Sequence, residues 1–193
     1  MRAALSTLPK QGVDATRPRR RRRGAFNLAL LLAALGACSP ALDWREVRPP
    51  GTALVALMPC RPNASVRPVS LAGQSVRLSM HACKAQDLTW ALATADVGDP
   101  ARVAAALAAL RESMLANLEA DVVGVEPATV RGASPGAQPA RVRVAGRKPD
   151  GSTANGQFVL FAHGTQVFEA VVLGAAVPDA AAGTFFDSLQ VGR

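Results

Sequence analysis

The chain has 193 residues and a formal net charge of +8, with 22 Lys and Arg against 14 Asp and Glu. This length fits one domain with tails, and 49% hydrophobic against 19% charged residues exclude an intrinsically disordered chain. The basic balance points first to a nucleic-acid partner, so the position of the charge along the chain decides whether that class is retained.

The positive charge lies almost entirely at the start of the chain. Residues 1–37 hold eight basic side chains and one acidic, whereas the remainder holds fourteen basic and thirteen acidic. Arg19–Arg23 precede an apolar run, Phe26–Ala37, which is shorter than the roughly 20 residues that a membrane-spanning helix needs. A basic segment, a short apolar run and small residues at its end are typical of a secretory signal peptide. We predict that 1–37 is a removed signal peptide and that no nucleic acid is bound; a basic nucleic-acid arm is the alternative.

The apolar run ends in Leu35-Gly36-Ala37-Cys38, which resembles the lipobox of bacterial lipoproteins. The resemblance implies a diacylated Cys38 sulfur, cleavage just before Cys38 and acylation of the new amino terminus. Lipoproteins kept at the inner membrane commonly have Asp where this chain has Ser39, so the resemblance implies the outer membrane, facing the periplasm. Two acyl signals give stable anchoring, and the membrane is therefore a predicted partner. The alternative is an ordinary signal peptidase site that leaves Cys38 as an odd thiol.

Cys60 and Cys83 are the only cysteines beyond Cys38. In an oxidising compartment, two remaining cysteines on neighbouring strands are most simply a disulfide. A hairpin turn at Ala72-Gly73 would bring position 60 within about two residues of facing position 83. We predict a structural Cys60–Cys83 bridge, because a metal site would need more ligands than His81 adds and redox catalysis would need C-x-x-C spacing.

The segment 38–51 holds three prolines and is predicted as the lipid anchor and linker, and 52–193 as a single domain. Strands are predicted at 52–58, at a sheet edge between Pro62 and Pro68, at 76–80, and at 88–97 after a turn at Gln86-Asp87. Asp99 at an N-cap and Pro100 at the first helical position start a long helix that ends near 119–121. Its apolar face recurs every three or four residues: Val103, Leu107, Leu110, Met114 and Leu118.

The C-terminal part predicts a loop, two hairpins, a short helix and a last strand. The loop is 132–139, and segments 140–145 and 157–161 form arms around a turn at 149–151. His163-Gly164 turns into a strand at 166–173, and a short helix from Pro178 ends at Phe185-Phe186 before a strand at 189–191. The order predicts an α+β fold in which an antiparallel sheet packs on one long helix and a short C-terminal helix, with the helices on one side.

Several short segments resemble known families. ALMPCRPN, VRLSMHAC, RVAGRKPDG and GTFFDSLQV, with LDWR after the cysteine, resemble a family of uncharacterised bacterial lipoproteins over residues 38–192. The order of elements and the FF-x-S-L motif are similar, more distantly, to the PsbP-like fold. The resemblances imply a lipoprotein with an α+β domain, and they imply no activity because a fold does not fix a function.

Candidate chemical groups are few. We identify no G-x-S-x-G, Walker-loop, H-E-x-x-H or C-x-x-C motif in the sequence. His81 is interpreted as a surface or hydrogen-bonded histidine, and His163 as a turn residue that tolerates positive φ. We predict no catalytic residue, no metal and no cofactor.

A basic ladder lies along one predicted hairpin arm and comprises Arg141, Arg143 and Arg147-Lys148. It is interpreted as a solvated strand face, and contact with an anionic lipid headgroup, lipopolysaccharide or peptidoglycan is the alternative. The predicted function is a non-enzymatic accessory domain that binds another component of the bacterial envelope. A small-ligand or lipid carrier and an enzyme with an unrecognised site remain as alternatives.

Overall fold

The computed structural model describes residues 42–148 and 150–192, so the predicted signal peptide and Cys38 lie outside the described residues. The described residues form ten strands and two α-helices. The strands are β1 (Arg45–Val47), β2 (Leu54–Met58), β3 (Asn63–Leu71), β4 (Gln74–Ala85), β5 (Leu88–Asp96), β6 (Asp121–Pro127), β7 (Ala140–Arg147), β8 (Thr153–His163), β9 (Gln166–Gly174) and β10 (Gln190–Val191). The helices are α1 (Val103–Asn117) and α2 (Asp179–Asp187), with 3-10 turns at Pro100–Arg102 and Pro135–Ala137.

Seven strands form one antiparallel sheet in the order β3-β4-β5-β9-β8-β7-β6. Ala72-Gly73 joins β3 to β4 and Gln86-Asp87 joins β4 to β5, and all four residues have a left-handed backbone. Two-residue turns of this kind match the twist of the strands that they connect. Both turns lie where the sequence predicted them, and β3, which contains Pro68, is an edge strand as predicted.

A smaller sheet and α2 cover one face of the seven-stranded sheet. The smaller sheet has the order β1-β2-β10, and β1 comes from the segment that was predicted as a linker. Trp90 of β5 lies at the centre of this interface, where its ring meets Trp44 and Phe185 edge-on, with centroids 5.8 and 5.6 Å apart. These edge-to-face contacts fasten both the start and the end of the described chain to the large sheet.

Helix α1 covers the opposite face. Asp99 accepts a hydrogen bond from the Ala101 N–H at 2.9 Å and so caps the 3-10 turn that leads into the helix. The start of α1 packs in a cluster with Leu71 at the tip of the β3–β4 hairpin, and its end packs in a cluster with Val144 of β7. The helix therefore crosses the sheet diagonally, and it ends where Glu119 adopts a left-handed backbone.

Two features correct the sequence-based prediction. The helices lie on opposite faces of the sheet rather than on one side, because successive residues of β5 and β9 are both buried and each face needs its own cover. Strand β6 was not predicted, and it forms the second edge of the sheet. Its pairing with β7 shifts register between Val122 and Gly124, which interrupts the alternation by which strands are recognised.

Candidate functional site

The two cysteines of the domain are joined, as predicted. A disulfide bond links Cys60, which follows β2, to Cys83 on β4, with the Cα atoms 6.0 Å apart. It therefore ties the smaller sheet to the seven-stranded sheet. The predicted lipid-attachment residue, Cys38, lies outside the described residues, and its role stays a prediction.

Burial accounts for one histidine and a contact with a backbone carbonyl accounts for the other. His81 on β4 is buried, and burial lowers the pKa of its imidazole, so the ring is neutral at pH 7. His163 ends β8, and its Nδ1 lies 2.8 Å from the carbonyl oxygen of Gly132. The left-handed backbone of this turn belongs to Gly164, so the reason predicted for His163 is wrong. Its ring instead fastens the loop around Gly132 to the sheet.

A serine motif was missed at the level of sequence. Residues 132–136 read G-A-S-P-G and match the letters of the G-x-S-x-G pattern, which in hydrolases places the serine on a sharp turn between a strand and a helix. Ser134 instead precedes a three-residue 3-10 turn with φ at −61°, and its Oγ accepts a hydrogen bond from the Gly164 N–H at 3.2 Å. It therefore holds the loop against the β8–β9 turn and lacks the geometry of a nucleophile elbow.

Two members of the basic ladder, Arg141 and Arg143, form ion pairs. Arg143 lies 2.6 Å from Glu126 of the edge strand. Arg141 donates from Nε to Gln157 Oε1 at 2.7 Å and lies 3.3 Å from Asp179 at the start of α2. The Arg141 side chain is 17% exposed and that of Arg143 is 38% exposed. The two arginines share a face, but only the first is built into the interface with α2.

We expect Arg141→Ala to lower the free energy of unfolding by about 1–3 kcal/mol. The substitution leaves the buried side-chain carbonyl of Gln157 without its hydrogen-bond donor. It also uncovers the Phe186 ring, whose centroid lies 5.2 Å from the Arg141 guanidinium carbon. Arg143→Ala removes the same charge from the same face and should cost less than about 1 kcal/mol, since exposed ion pairs contribute little. Urea denaturation of both variants measures the difference. Equal losses would contradict the separate roles of the two arginines.

A buried carboxyl lies under α1, and the sequence reasoning did not single it out. Glu169 on β9 is flanked in register by Ala93 of β5 and Leu160 of β8, and it is only 8% exposed. Its Oε1 has no hydrogen-bond partner among the described residues, and burial raises the pKa of the carboxyl to about 7. The signal was a lone acid in the apolar run QVFEAVVL, where alternation places it on the same face as Val167 and Val171.

The diagonal course of α1 leaves two opposite corners of its face of the sheet uncovered, and a cavity lies at each. One cavity, of about 560 Å³, lies beyond the end of the helix, between the β4–β5 turn, the end of β9 and the β7–β8 turn. Lys84 and Lys148 both line it. The second, of about 250 Å³, lies between α1 and the strands β7 and β8, has mostly apolar walls and includes Arg111.

Within residues 42–148 and 150–192, no three His, Cys, Asp or Glu side chains come together in a way that could hold a metal ion. In the same part of the chain, no helix has the length and apolar character needed to cross a membrane. A scan against models of protein families finds no match, and a search of curated proteins finds none either. The resemblances to a lipoprotein family and to the PsbP-like fold therefore stay predictions.

Proposed function

We propose that this chain is a lipoprotein of the bacterial envelope, anchored through a lipidated Cys38 to the periplasmic face of the outer membrane, and that its domain is a non-enzymatic binding module. One observation carries the proposal: a basic and apolar leader ending in Leu-Gly-Ala-Cys precedes a domain whose other two cysteines are joined. Structural disulfides persist in exported proteins and are rare in the cytosol. The leader and the disulfide therefore support the same compartment independently.

The start of the domain suits a short tether. The Asp43 N–H donates a hydrogen bond to the Pro59 carbonyl at 2.9 Å, and Trp44 packs against Trp90. Asp43 is five positions after Cys38 in the sequence. A domain joined so directly to its anchor suits a partner or ligand at the membrane surface.

Lipidation at Cys38 is tested by Cys38→Ala in cells that process lipoproteins. We expect the variant to leave the membrane fraction and to lose the mass of its acyl chains, because no other residue of the proposed mature chain receives the diacylglyceryl group. Membrane fractionation and mass spectrometry of the purified protein measure both effects. Unchanged membrane retention would overturn the anchor.

Ser39→Asp serves as the matched control for the same experiment, since it leaves Cys38 in place. The resemblance to lipoproteins implies that this variant keeps its lipid and moves from the outer to the inner membrane. If it distributed as the wild-type protein does, the outer-membrane part of the proposal would fail while the anchor remained supported.

A small-ligand or lipid carrier is the second candidate function. The cavity of about 560 Å³ beyond α1 favours it, because its volume lies within the range of about 300–1,000 Å³ that is typical of small-molecule sites. Binding of a ligand at this corner is compatible with the proposed anchor. The cavity would then be the ligand site of the binding module.

A further inference from the structure

The domain contains only two lysines, and both line the same cavity. Lys84 lies on β4 and Lys148 directly follows β7, far apart in the sequence. The other twelve basic residues after residue 37 are all arginines. The register of the sheet brings the two ammonium-bearing residues to one corner, where Lys84 pairs with Thr89 of β5, and Thr89 pairs with Leu173 of β9.

The cavity combines a polar rim with an apolar wall. The apolar wall comes from Leu118 after the helix, Ala154 of β8 and Leu173 of β9. Gln86 and Thr89 add hydrogen-bonding groups between the lysines. A neighbouring cavity of about 490 Å³ shares Lys84 and Thr89 and extends the same groove toward the edge strand β3.

The two lysines differ from the arginines of the ladder in their pairing. Within residues 42–148 and 150–192, neither Lys84 nor Lys148 forms an ion pair with a carboxylate, whereas Arg141 and Arg143 both do. Asp87 also lines the cavity, and Asp150 lies outside the lining, where hydrogen bonds from Ser152 and the nearby charge of Lys148 lower the pKa of its carboxyl. The lining therefore holds two lysines and one carboxylate, and Asp150 offsets part of the Lys148 charge from outside it.

The cavity lies at the end of the sheet where the chain enters the domain. Lys84 directly follows Cys83, whose disulfide partner Cys60 follows Pro59, the residue to which Asp43 is hydrogen-bonded. A ligand in the cavity would thus lie at the same end of the sheet as the first described residues but on the opposite face, since Leu118 and Leu173 pack on the side of α1 and Trp44 packs on the other.

We propose that this cavity binds a phosphate ester that carries an apolar group, with the phosphate held between Lys84 and Lys148 and the apolar group against Leu118 and Leu173. Lysine binds phosphate as a compact point charge that needs no fixed geometry, which suits two side chains that line one cavity from separate parts of the sheet. The inference rests on the proposed binding function, since it names the class of ligand. A phospholipid headgroup and a soluble phosphate ester share this chemistry.

The low lysine content makes the test direct. Reductive methylation with an isotopically labelled methyl donor keeps the lysine charge, and in the purified lipidated protein it should give two lysine NMR signals. We expect both to shift together when short-chain phosphatidic acid is added, with inorganic phosphate binding at least about tenfold more weakly because it leaves the apolar wall uncovered. A soluble sugar phosphate that bound as tightly as phosphatidic acid would assign the site to soluble esters, and no shift with any of these probes would overturn the proposal.

Charge variants give the matched controls. Lys84→Gln and Lys148→Gln should each remove one signal and weaken binding of phosphatidic acid about tenfold or more, because each removes a charged hydrogen-bond donor. Arg77→Gln removes the same charge from β4 outside the lining of the cavity and should leave binding unchanged. Equal weakening by all three variants, or equal binding of a short-chain diacylglycerol, which lacks the phosphate, would overturn a specific site.

The readout separates this inference from the anchor. A third methylated amine would reveal an unacylated amino terminus and would count against N-acylation of Cys38, while the lipid on its sulfur is tested by the mass measurement on Cys38→Ala. Lysine signals that do not shift with any probe, in a protein that stays in the membrane, would reject the phosphate site and leave the anchor supported.

Discussion

Replacing both Cys60 and Cys83 with alanine should lower the free energy of unfolding by about 3 kcal/mol. The bridge closes a loop with a sequence separation of 23 residues, and a cross-link of this span restricts the unfolded chain by about that amount on the chain-entropy model. The bond also joins the smaller sheet, which follows directly from the anchor segment, to the central sheet. Urea denaturation of the wild-type and double-variant proteins under oxidising conditions measures the loss.

A reducing agent gives the control for this prediction. It should lower the stability of the wild-type protein toward that of the double variant and should leave the double variant unchanged, since that variant has no bond to reduce. Alanine fills the Cys83 position without a large void because the cysteine side chain is small. Equal stability of the two proteins under oxidising conditions would contradict a stabilising bridge.

The disulfide and both tight hairpin turns could be predicted because local chemistry determines them. Ala72-Gly73 and Gln86-Asp87 interrupt strand-like segments with residues that suit a turn, and Asp99 with Pro100 marks the start of a helix. Once the first turn is fixed, the register of β3 and β4 follows residue by residue and brings Cys83 near Cys60. Each of these inferences needs only a few consecutive residues.

The arrangement of the layers depends on information that is distant in the sequence. Successive buried residues in β5 and β9 require cover on both faces of the sheet, but the sequence-based prediction placed both helices on one side, because nothing in the helices themselves says which face each one takes. Strand β6 escaped prediction because Gly124 and the shift of register disrupt its pattern, and because its pairing with β7 crosses a loop. Its edge position also leaves Val123 and Val125 exposed, so it lacks a buried face to mark it.

The lysine cavity could not be predicted for the same physical reason. Lys84 and Lys148 belong to different hairpins, and the five strands from β4 to β7 must align before the two lysines line one cavity. Of the basic ladder, which is contiguous in sequence, Arg141 and Arg143 are paired with Asp179 and Glu126, whereas Lys148 lines the cavity. Proximity in sequence therefore grouped Lys148 with paired arginines rather than with Lys84.

Glu169→Gln should make the free energy of unfolding depend less on pH between about pH 4 and pH 8. The variant should be more stable than the wild-type protein near pH 8. Burial raises the folded-state pKa of this carboxyl from 4.5 to about 7, so the folded state binds a proton that the unfolded state has already lost in this range. The associated stability is fully present below pH 4.5 and is lost as pH rises to about 7. The pKa difference corresponds to about 3 kcal/mol.

The measurement is the difference in unfolding free energy between variant and wild type at each pH. His81 provides an opposite contribution, because its pKa is lowered by burial and stability falls as pH drops below 6.5, but both proteins contain His81 and its effect cancels in the difference. The difference should therefore change by about 3 kcal/mol in favour of glutamine from low to high pH. Glu112→Gln on the exposed side of α1 is the matched control for the loss of a carboxylate as such. A difference for Glu169→Gln that did not change with pH would mean that Glu169 ionises with an ordinary pKa, and that water reaches the carboxyl beneath the helix.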